Sequence, residues 1–403
     1  LVIEILRMRI YIIQQKIESY NKIMNSIYSK LYLCTAILLI QSIICLCQQP
    51  IYQNTPKVVE ILPKIPYEFI YEKAADNRPT ILFLHGFPSS MHIWRHQLHY
   101  FYRRGYGYLV PNLMGYGTHT YSPLNETEYS SKTITDHLIA LLNHVGLNKT
   151  KVYVVGHDWG SRIASRFVLY HPERTIGAVL ISIPYTPPVQ FDLDLVLNRS
   201  LEKLGYESIG YWKFFRANDA ASLIEKNLDS FIDLVYANDI SLVKIHAAPG
   251  DKIRAWVTNG NRTTRATYLT STDYSIAHSY LSTKMQQKLN WFKAVLADVD
   301  WNYEKDLDKK IKRPVLFIEG QNETIGIVVG AAEGQKQLIA NLTTVQLSNT
   351  GHWVMEQRPD QVNEEIDKWI KTITPINSAT ISYLLISTFI FSLFTSFYVR
   401  IIT

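Results

Sequence analysis

Residues 154–161 read Val-Val-Gly-His-Asp-Trp-Gly-Ser, with Asp158 near the centre. An apolar, β-rich run precedes this stretch and a helical pattern follows it, so a strand is expected to turn sharply into a helix here. Gly156 and Gly160 supply the small neighbours that such a tight turn requires. The turn would raise the side chain of Asp158 above the sheet, although an Asp that merely caps the following helix is the simpler alternative.

The residue at the apex of this turn predicts its chemistry, because Asp158 is a carboxylate and not a serine. A carboxylate nucleophile forms an alkyl ester and suits displacement at an sp³ carbon, such as that of an epoxide or an alkyl halide. A second loop, His85-Gly86-Phe87-Pro88, follows an earlier apolar run. The backbone N–H groups of Phe87 and Trp159 are therefore predicted to form an oxyanion hole for hydrolysis of that ester.

A histidine and an acid complete the predicted site. Residues 350–353 read Thr-Gly-His-Trp after the last apolar run, and a nucleophile–acid–histidine order along the chain is expected of this architecture. His352 is thus predicted to activate the water that cleaves the ester. The acid that orients it is predicted to be Glu323, just past the run at 315–318, with Glu319 as the competitor.

The segments around these loops alternate between strand and helix patterns. Runs that are apolar throughout and alternate with helices predict an α/β fold, in which a mostly parallel, doubly wound sheet is covered on both faces. The strand signals lie at 80–84, 108–111, 152–155, 176–181, 315–318 and 343–347, and clear helical patterns at 133–145, 161–170 and 361–372. Between about Pro184 and Ala294 the pattern is helical and rich in aromatic residues, which predicts an inserted helical cap.

These patterns divide the chain into five predicted segments. They are an N-terminal extension with a signal peptide (1–47), the first part of the core (60–184), the cap (185–293), the second part of the core (294–373) and a C-terminal apolar segment (380–399).

With these motifs in place, the chain resembles the α/β-hydrolase-fold epoxide hydrolases over about residues 60–373. HGFP at 85–88, GHDWGS at 156–161 and GHW at 351–353 match the oxyanion loop, nucleophile elbow and catalytic histidine of that family. The segment 204–215 resembles the cap segment with the family's ring-opening tyrosine, which corresponds to Tyr211. The segment 289–292 resembles that of the second tyrosine, but the matching residue here is Phe292.

The resemblance implies a two-step hydrolysis of a small hydrophobic epoxide to a vicinal diol, with no cofactor and no metal. Asp158 would attack an epoxide carbon while Tyr211 assists the oxygen, and water activated by His352 and Glu323 would then cleave the ester. The implied substrate pocket contains His85, Pro88, Trp291, Phe292 and Trp353.

Two other functions stay open from the sequence. Haloalkane dehalogenases share the aspartate elbow and the following tryptophan, but they usually stabilise the leaving halide with a second donor at the position of Phe87, whose phenyl ring cannot donate. A catalytically weak, tethered ligand-binding protein is the other alternative. The complete set of Asp158, His352 and Glu323 argues against it, and Phe292 argues for it.

The chain ends predict targeting to a membrane. Residues 31–47 carry no charge, follow Lys30 and end in small side chains, as a signal peptide does, although an uncleaved anchor helix fits as well. Residues 380–399 are free of charge and precede Arg400, which predicts either a membrane-spanning helix or a GPI signal, with a buried core helix as the third possibility. Six sequons favour a secretory route to a luminal or extracellular, membrane-tethered glycoprotein, and they begin at Asn125, Asn148, Asn198, Asn261, Asn322 and Asn341.

Composition excludes several other classes. Hydrophobic residues make up 47% and charged residues 19%, which excludes a disordered chain and a polytopic membrane protein. The net charge of +6 is concentrated near the start, where residues 1–30 hold five basic and two acidic side chains. The globular part therefore has no basic patch for nucleic acid. The three cysteines all lie in residues 34–47, so the chain is not a disulfide scaffold.

Overall fold

A computed structural model describes residues 2–47, 55–324 and 332–375 of the protein. The chain forms two compact units, Leu1–Gln53 and Asn54–Thr403. In the first unit, helix α1 (Val2–Cys47) is a single helix of 46 residues, so the segment predicted as a signal peptide continues a helix that begins far upstream. The second unit contains every predicted site residue.

An eight-stranded sheet forms the centre of the second unit, as far as the structure describes it. Its strands are β1 (Lys57–Leu62), β2 (Ile65–Glu72), β3 (Thr80–Leu84), β4 (Gly107–Pro111), β5 (Val152–His157), β6 (Thr175–Ile181), β7 (Val315–Gly320) and β8 (Leu342–Leu347). Their order across the sheet is β1-β2-β4-β3-β5-β6-β7-β8. The pairs from β4 to β8 are parallel, whereas β2 pairs antiparallel with both β1 and β4.

The α/β fold class is confirmed, and the six predicted strands are present with ends shifted by two residues at most. The sequence patterns did not indicate β1 and β2. The residues of β1 are exposed or half-buried, as is typical of an edge strand with one face exposed to solvent. The central strands β3, β4 and β5 are buried along their whole length, so their apolar runs were easier to recognise.

Helices cover the sheet in two layers. The helices of the core are α2 (Arg95–Tyr102), α3 (Ser131–His144), α4 (Trp159–Tyr170), α14 (Ala332–Lys336), α15 (Val354–Gln357) and α16 (Pro359–Ile373). In one layer, α4 packs against β3, β5 and β6 and also contacts α3, and in the other α2 contacts β4 and α16 contacts β7. Two of these helices begin at residues that favour a helix start. The Ser130 side chain accepts the N–H of Thr133 at the start of α3, and Pro359 occupies the first turn of α16.

The described chain between β6 and β7 is mainly helical. It contains α5 (Leu193–Leu204), α6 (Tyr211–Phe215), α7 (Ala220–Lys226), α8 (Leu228–Val235), α9 (Ile240–Leu242), α10 (Gly250–Thr258), α11 (Ser271–Leu281), α12 (Met285–Leu296) and α13 (Trp301–Glu304), with a π-helical turn at Val243–Ala247. We call residues 182–300 the inserted segment. The prediction of a helical insertion is confirmed as part of the fold, while the domain boundaries stay predictions.

The predicted membrane attachment is wrong. In residues 2–47, 55–324 and 332–375, the helices are too short or too polar to cross a bilayer. This finding contradicts both the predicted transmembrane character and the predicted membrane-tethered localisation. The segment 380–399, on which that prediction depended most, lies outside the described residues.

The parallel arrangement of the strands positions the predicted site. The loops that follow β3, β5, β7 and β8 contain Phe87, Asp158, Glu323 and His352 respectively. Since the carboxyl ends of parallel strands meet at one edge of a sheet, these four residues are brought together although they span more than half of the chain.

Candidate active site

Asp158 lies in a sharp turn between β5 and α4. Its backbone has φ 55° and ψ −121°, a conformation that non-glycine residues rarely adopt. Its side chain makes no capping hydrogen bond to α4, which argues against the simple helix-cap alternative. The turn therefore holds a carboxylate in a strained position at the edge of the sheet.

The glycines on either side of Asp158 allow this turn because other backbone atoms come very close to them. A Cβ on Gly156 would lie 2.1 Å from the carbonyl oxygen of Gly160, and a Cβ on Gly160 would lie 2.0 Å from the carbonyl oxygen of Leu84. Both distances are far below van der Waals contact. Any larger side chain would thus push the helix away from the strands that support the turn.

The loop after β3 contacts the carboxylate directly. The backbone N–H of Phe87 donates to Oδ1 of Asp158 at 2.8 Å. A Cβ on Gly86 would lie 2.4 Å from the same Oδ1, so only glycine lets the loop approach this closely. The N–H of Trp159 also interacts with the carboxylate of Asp158. Both predicted oxyanion donors therefore point at the predicted nucleophile.

His352 lies between the two predicted carboxylates. Its Nδ1 is 2.9 Å from Oε2 of Glu323, and its Nε2 is 3.5 Å from Oδ2 of Asp158. The second oxygen of Glu323 accepts the N–H of Thr324 at 2.8 Å, which fixes the carboxylate. Glu319, the competing acid, instead accepts a hydrogen bond from Gln346 at 3.1 Å on the exposed side of the sheet.

Backbone contacts hold the histidine loop in register with its neighbours. The carbonyl oxygen of His352 is bound by the hydroxyl of Ser182 at 2.7 Å and lies 2.9 Å from Nε2 of His157. The N–H of Asn322 donates to the carbonyl of Thr350 at 2.8 Å, which joins the acid loop to the histidine loop. The loop that contains His352 is therefore held at the ends of β5 and β6 and by the loop after β7.

Burial and the neighbouring charges act in opposite directions on the pKa values of Asp158 and His352. Burial raises the pKa of Asp158, while His352 and the N–H groups of Phe87 and Trp159 offset part of that effect. Burial alone would lower the pKa of His352, but the charges of Glu323 and Asp158 outweigh it and raise this pKa above its ordinary value. The imidazolium form is thus stabilised by the two carboxylates.

A cavity of about 340 Å³ opens above these groups. Asp158, His352 and Tyr211 all line it. Burial raises the pKa of Tyr211, and the negative charge of Asp158 raises it further, so this phenol remains protonated and able to donate. The size of the cavity suits a small organic substrate.

Phe292 lies on the wall of the same cavity and is 2% exposed. Its ring contacts the rings of Trp159, Phe215 and Phe87 at centroid distances of 5.0, 4.9 and 5.2 Å. The ring of Tyr211 is 6.2 Å away. The position matched to the family's second tyrosine is thus at the cavity, but it contributes an apolar edge there.

The other predicted pocket residues divide into two groups. Pro88 and Trp353 line the cavity together with Phe292. His85 and Trp291 face the core instead, because their polar atoms are used there. Nε2 of His85 accepts the N–H of Leu113 at 3.0 Å, and the indole of Trp291 donates to the carbonyl of Met114 at 2.9 Å.

The sequence patterns missed much of the cavity wall. Apolar and polar residues from the inserted segment and from the loops after β7 and β8 contribute to it. The polar ones are Asn238, Thr267, Tyr268, Thr324, Asn349, Gln357 and Arg358. They lie in irregular segments or at helix ends, where hydrophobic periodicity carries no signal.

Two further tyrosines of the inserted segment, Tyr268 and Tyr274, differ in where their hydroxyls lie. Tyr268 lines the cavity, and burial together with the charge of Glu356 raises its pKa. Tyr274 instead donates to Asp229 within the inserted segment. Tyr268 therefore lies in the cavity wall on the side of Glu356, whereas the charge of Asp158 contributes to raising the pKa of Tyr211.

Comparison with known proteins identifies the family that the fold resembles. A family model described as alpha/beta hydrolase fold matches residues 79–359. Bifunctional epoxide hydrolase 2 of Rattus norvegicus is 24% identical over 317 residues, which cover 78% of this chain and 55% of the relative. Epoxide hydrolase 3 of Siraitia grosvenorii is 29% identical over 307 residues, covering 72% of this chain and 92% of the relative. This chain spans about half the length of the rat protein, but nearly all of the plant one.

Solved structures agree in fold. Epoxide Hydrolase A from Mycobacterium thermoresistibile superposes with a TM-score of 0.66 at 20% identity, over 79% of this chain and 98% of that one. An epoxide hydrolase from an endophytic Streptomyces gives the same TM-score at 24% identity, over 79% and 95% of the two chains. With a family model that matches residues 79–359, most of the second unit, this chain belongs to the alpha/beta hydrolase fold family.

Proposed function

We propose that this protein hydrolyses an epoxide to a vicinal diol through a covalent ester on Asp158. The observation that carries the proposal is the arrangement around this carboxylate, with the Phe87 N–H 2.8 Å from Oδ1 and His352 Nε2 3.5 Å from Oδ2. A carboxylate in this position forms an ester at an sp³ carbon. The epoxide hydrolases among the relatives support the choice of an epoxide over other electrophiles.

In the first step, one carboxylate oxygen of Asp158 attacks an epoxide carbon, and the C–O bond of the ring breaks. The electron pair of that bond stays on the epoxide oxygen, which takes the proton of the Tyr211 hydroxyl and leaves a phenolate there. Asp158 and Tyr211 line the same cavity, and the raised pKa of Tyr211 keeps its hydroxyl protonated before the reaction. The product is a hydroxyalkyl ester of Asp158.

In the second step, water attacks the carbonyl carbon of the ester. His352 accepts a proton from that water, and Glu323 holds the ring by its Nδ1 at 2.9 Å and stabilises the imidazolium. The N–H groups of Phe87 and Trp159 stabilise the oxyanion that develops on the carboxyl group of Asp158. Collapse of this intermediate breaks the ester C–O bond, and the imidazolium of His352 gives its proton to the departing alkoxide, which completes the diol. The carboxyl group of Asp158 then gives up the proton that came from the water, so that the carboxylate of Asp158 and the phenol of Tyr211 are both restored.

The proposal is tested with the full chain and a simple aryl epoxide, such as styrene oxide. The wild type is expected to form the diol, and Asp158→Ala is expected to form none. Asp308→Ala serves as control, because Asp308 is exposed and precedes β7, at the opposite edge of the sheet. Diol formation by Asp158→Ala above a few per cent of wild type contradicts the nucleophile. Bromide release from a bromoalkane without diol formation identifies a dehalogenase instead.

Trapping the ester tests the two steps separately. His352→Gln is expected to alkylate Asp158 but not to hydrolyse the ester, because the attack does not need the base. Mass spectrometry of the intact variant after incubation with the epoxide should show one added substrate mass, located on the peptide that contains Asp158. An unmodified protein that nevertheless forms diol would exclude the covalent route.

A further inference from the structure

Two tyrosine hydroxyls of the inserted segment bind one carbonyl of the oxyanion loop. Tyr236 and Tyr280 each donate to the carbonyl oxygen of Pro88 at 2.9 Å. Pro88 is buried, and the two tyrosines lie 148 and 192 residues further along the chain. Burial raises the pKa of both phenols, so both remain donors. These bonds therefore join two helical regions of the insertion to a loop of the core.

The carbonyl that they bind is next to a group of the active site. Pro88 follows Phe87, whose N–H contacts Asp158 at 2.8 Å. Within the loop, the N–H and the hydroxyl of Ser89 both donate to the carbonyl of Gly86, at 3.2 and 2.9 Å. These local bonds shape the loop but do not fix where it lies relative to the insertion. The hydrogen bonds from Tyr236 and Tyr280 fix the position of the loop relative to the insertion.

Tyr236 contacts the histidine loop as well. Its ring stacks on that of Trp353 with a centroid distance of 4.6 Å and an angle of 23° between the planes. The indole of Trp353 in turn donates to the carbonyl of Val235 at 3.2 Å. Trp353 follows His352 directly. One residue of the insertion thus touches both loops that contact Asp158.

From these contacts we propose that Tyr236 and Tyr280 are positioning residues, which hold the Pro88 carbonyl and thereby keep the Phe87 N–H on the carboxyl group of Asp158. The inference rests on the proposed function and deepens it. The core supplies the oxyanion donor, and the insertion determines how well that donor is aimed.

The two catalytic steps depend on this donor to different degrees. During alkylation, the charge of Asp158 is consumed, so the Phe87 N–H has little to stabilise in the transition state. During hydrolysis of the ester, negative charge develops on the oxygen that this N–H contacts. Loosening the loop should therefore slow the second step more than the first.

The test uses the full chain with Tyr236→Phe, Tyr280→Phe and the double variant. Phenylalanine keeps both rings, including the stack on Trp353, and removes only the hydroxyls. Each single variant retains one donor to Pro88 and should slow ester hydrolysis only about fivefold, as expected for one ordinary hydrogen bond. The double variant leaves a buried carbonyl without these donors and should slow it by roughly thirtyfold or more.

A matched control is available on the same helix as Tyr280. Tyr274→Phe also removes a hydroxyl from α11, but that hydroxyl binds Asp229 within the insertion. The control should keep wild-type rates for both steps. In the double variant, kcat and KM should fall together while kcat/KM stays near the wild-type value, and the ester of Asp158 should accumulate during turnover. A loss of packing alone would lower the melting temperature without this kinetic pattern.

Hydrogen exchange of the Phe87 amide tests the same positioning role without any catalytic activity. In the double variant this hydrogen should exchange with solvent at least about tenfold faster than in the wild type and in Tyr274→Phe, as expected after loss of its hydrogen bond. Unchanged exchange in the double variant overturns the positioning role, whether or not the enzyme acts on epoxides. So does an equal fall in both catalytic steps. Absence of diol formation by the wild type, in contrast, overturns the proposed reaction.

Discussion

Glu323 and Asp158 lie on the two sides of His352, and in the ester intermediate only Glu323 still carries a charge. Ester hydrolysis needs neutral His352, so its rate should rise with pH through the pKa of this group. The charge of Glu323 contributes to raising that pKa. A neutral side chain at position 323 should therefore move the rising limb of the pH profile to lower pH.

Glu323→Gln is the substitution that tests this coupling. The limb should shift to lower pH, while the plateau rate of ester hydrolysis falls by at least about a hundredfold because the imidazole loses its orienting carboxylate. Rapid-mixing kinetics of ester decay between pH 5 and 9 measure both effects. Glu319→Gln changes a residue of β7 that is bound to Gln346 on the exposed side, and it should change neither. A limb that moves to higher pH would contradict the role of Glu323.

Phe292 is the position at which this chain departs from the family pattern. A second hydroxyl aimed at the epoxide oxygen stabilises charge that develops only in the transition state, and such a donor is typically worth about 3 kcal/mol, or about a hundredfold in rate. Phe292→Tyr adds one oxygen to a ring that already lines the cavity. We expect ester formation to become about tenfold to a hundredfold faster, with ester hydrolysis unchanged.

Rapid mixing with an aryl epoxide separates the two steps for Phe292→Tyr. Phe215→Tyr is the matched control, because it places a hydroxyl in the same cavity at a position that the family pattern does not assign to a donor. Equal acceleration in both variants would mean that any added hydroxyl helps. An unchanged rate in Phe292→Tyr would mean that another donor, with Tyr268 the first to examine, already serves the oxygen.

The turn between β5 and α4 requires glycine at position 160, and the free energy of unfolding measures how strongly. A Cβ on Gly160 would lie 2.0 Å from the carbonyl oxygen of Leu84, which belongs to β3 and cannot rotate away. Gly160→Ala should therefore destabilise the protein by at least about 3 kcal/mol. This cost is larger than that of a clash with a flexible side chain, which could move aside. Urea denaturation followed by tryptophan fluorescence measures the free energy of unfolding.

Gly334→Ala is the control for that substitution. Gly334 lies in α14, where an added Cβ would meet open space, and alanine is a better helix former than glycine. This variant should be as stable as the wild type or slightly more so. A wild-type free energy of unfolding in Gly160→Ala would show that helix and strand can separate at no cost, contrary to the packing described here.

A buried ion pair joins the two parts of the core across the insertion. Arg166 in α4 and Glu304 in α13 are each 1% exposed, and their two hydrogen bonds measure 2.5 and 3.0 Å. The guanidinium also donates to the carbonyl of Thr186 at 2.6 Å. Glu304→Gln should lower the free energy of unfolding by about 3 to 5 kcal/mol, because it leaves a buried positive charge without its partner.

A more exposed bidentate pair serves as comparison. Arg254 binds Asp219 through two hydrogen bonds of 2.8 and 2.9 Å, but the two side chains are 39% and 62% exposed. Asp219→Asn should change stability little, since water replaces the lost partner. Equal effects of the two substitutions would mean that the Arg166–Glu304 pair does not hold the two parts of the core together.

The order of functional residues along the chain could be predicted because it depends on local signals. The glycines around Asp158, the loop with Phe87 and the histidine after the last strand each sit at the carboxyl end of an apolar run, and a parallel sheet brings such ends together. The fold class follows from the same alternation of runs and helices. The error about membrane attachment came from reading apolar character alone at the chain ends, where periodicity gives no further evidence.

Tertiary structure decided what these local signals leave open. Whether Glu319 or Glu323 meets His352 depends on the direction that each side chain takes out of β7 and the loop after it. His85 and Trp291 point into the core because their hydrogen-bond partners there, the backbone groups of Leu113 and Met114, come from another part of the chain. The contact of Tyr236 and Tyr280 with Pro88 has no sequence pattern, because it joins residues more than a hundred positions apart through the packing of the insertion on the sheet. Side-chain direction is determined by the neighbours that packing supplies, and those neighbours exist only once the chain has folded.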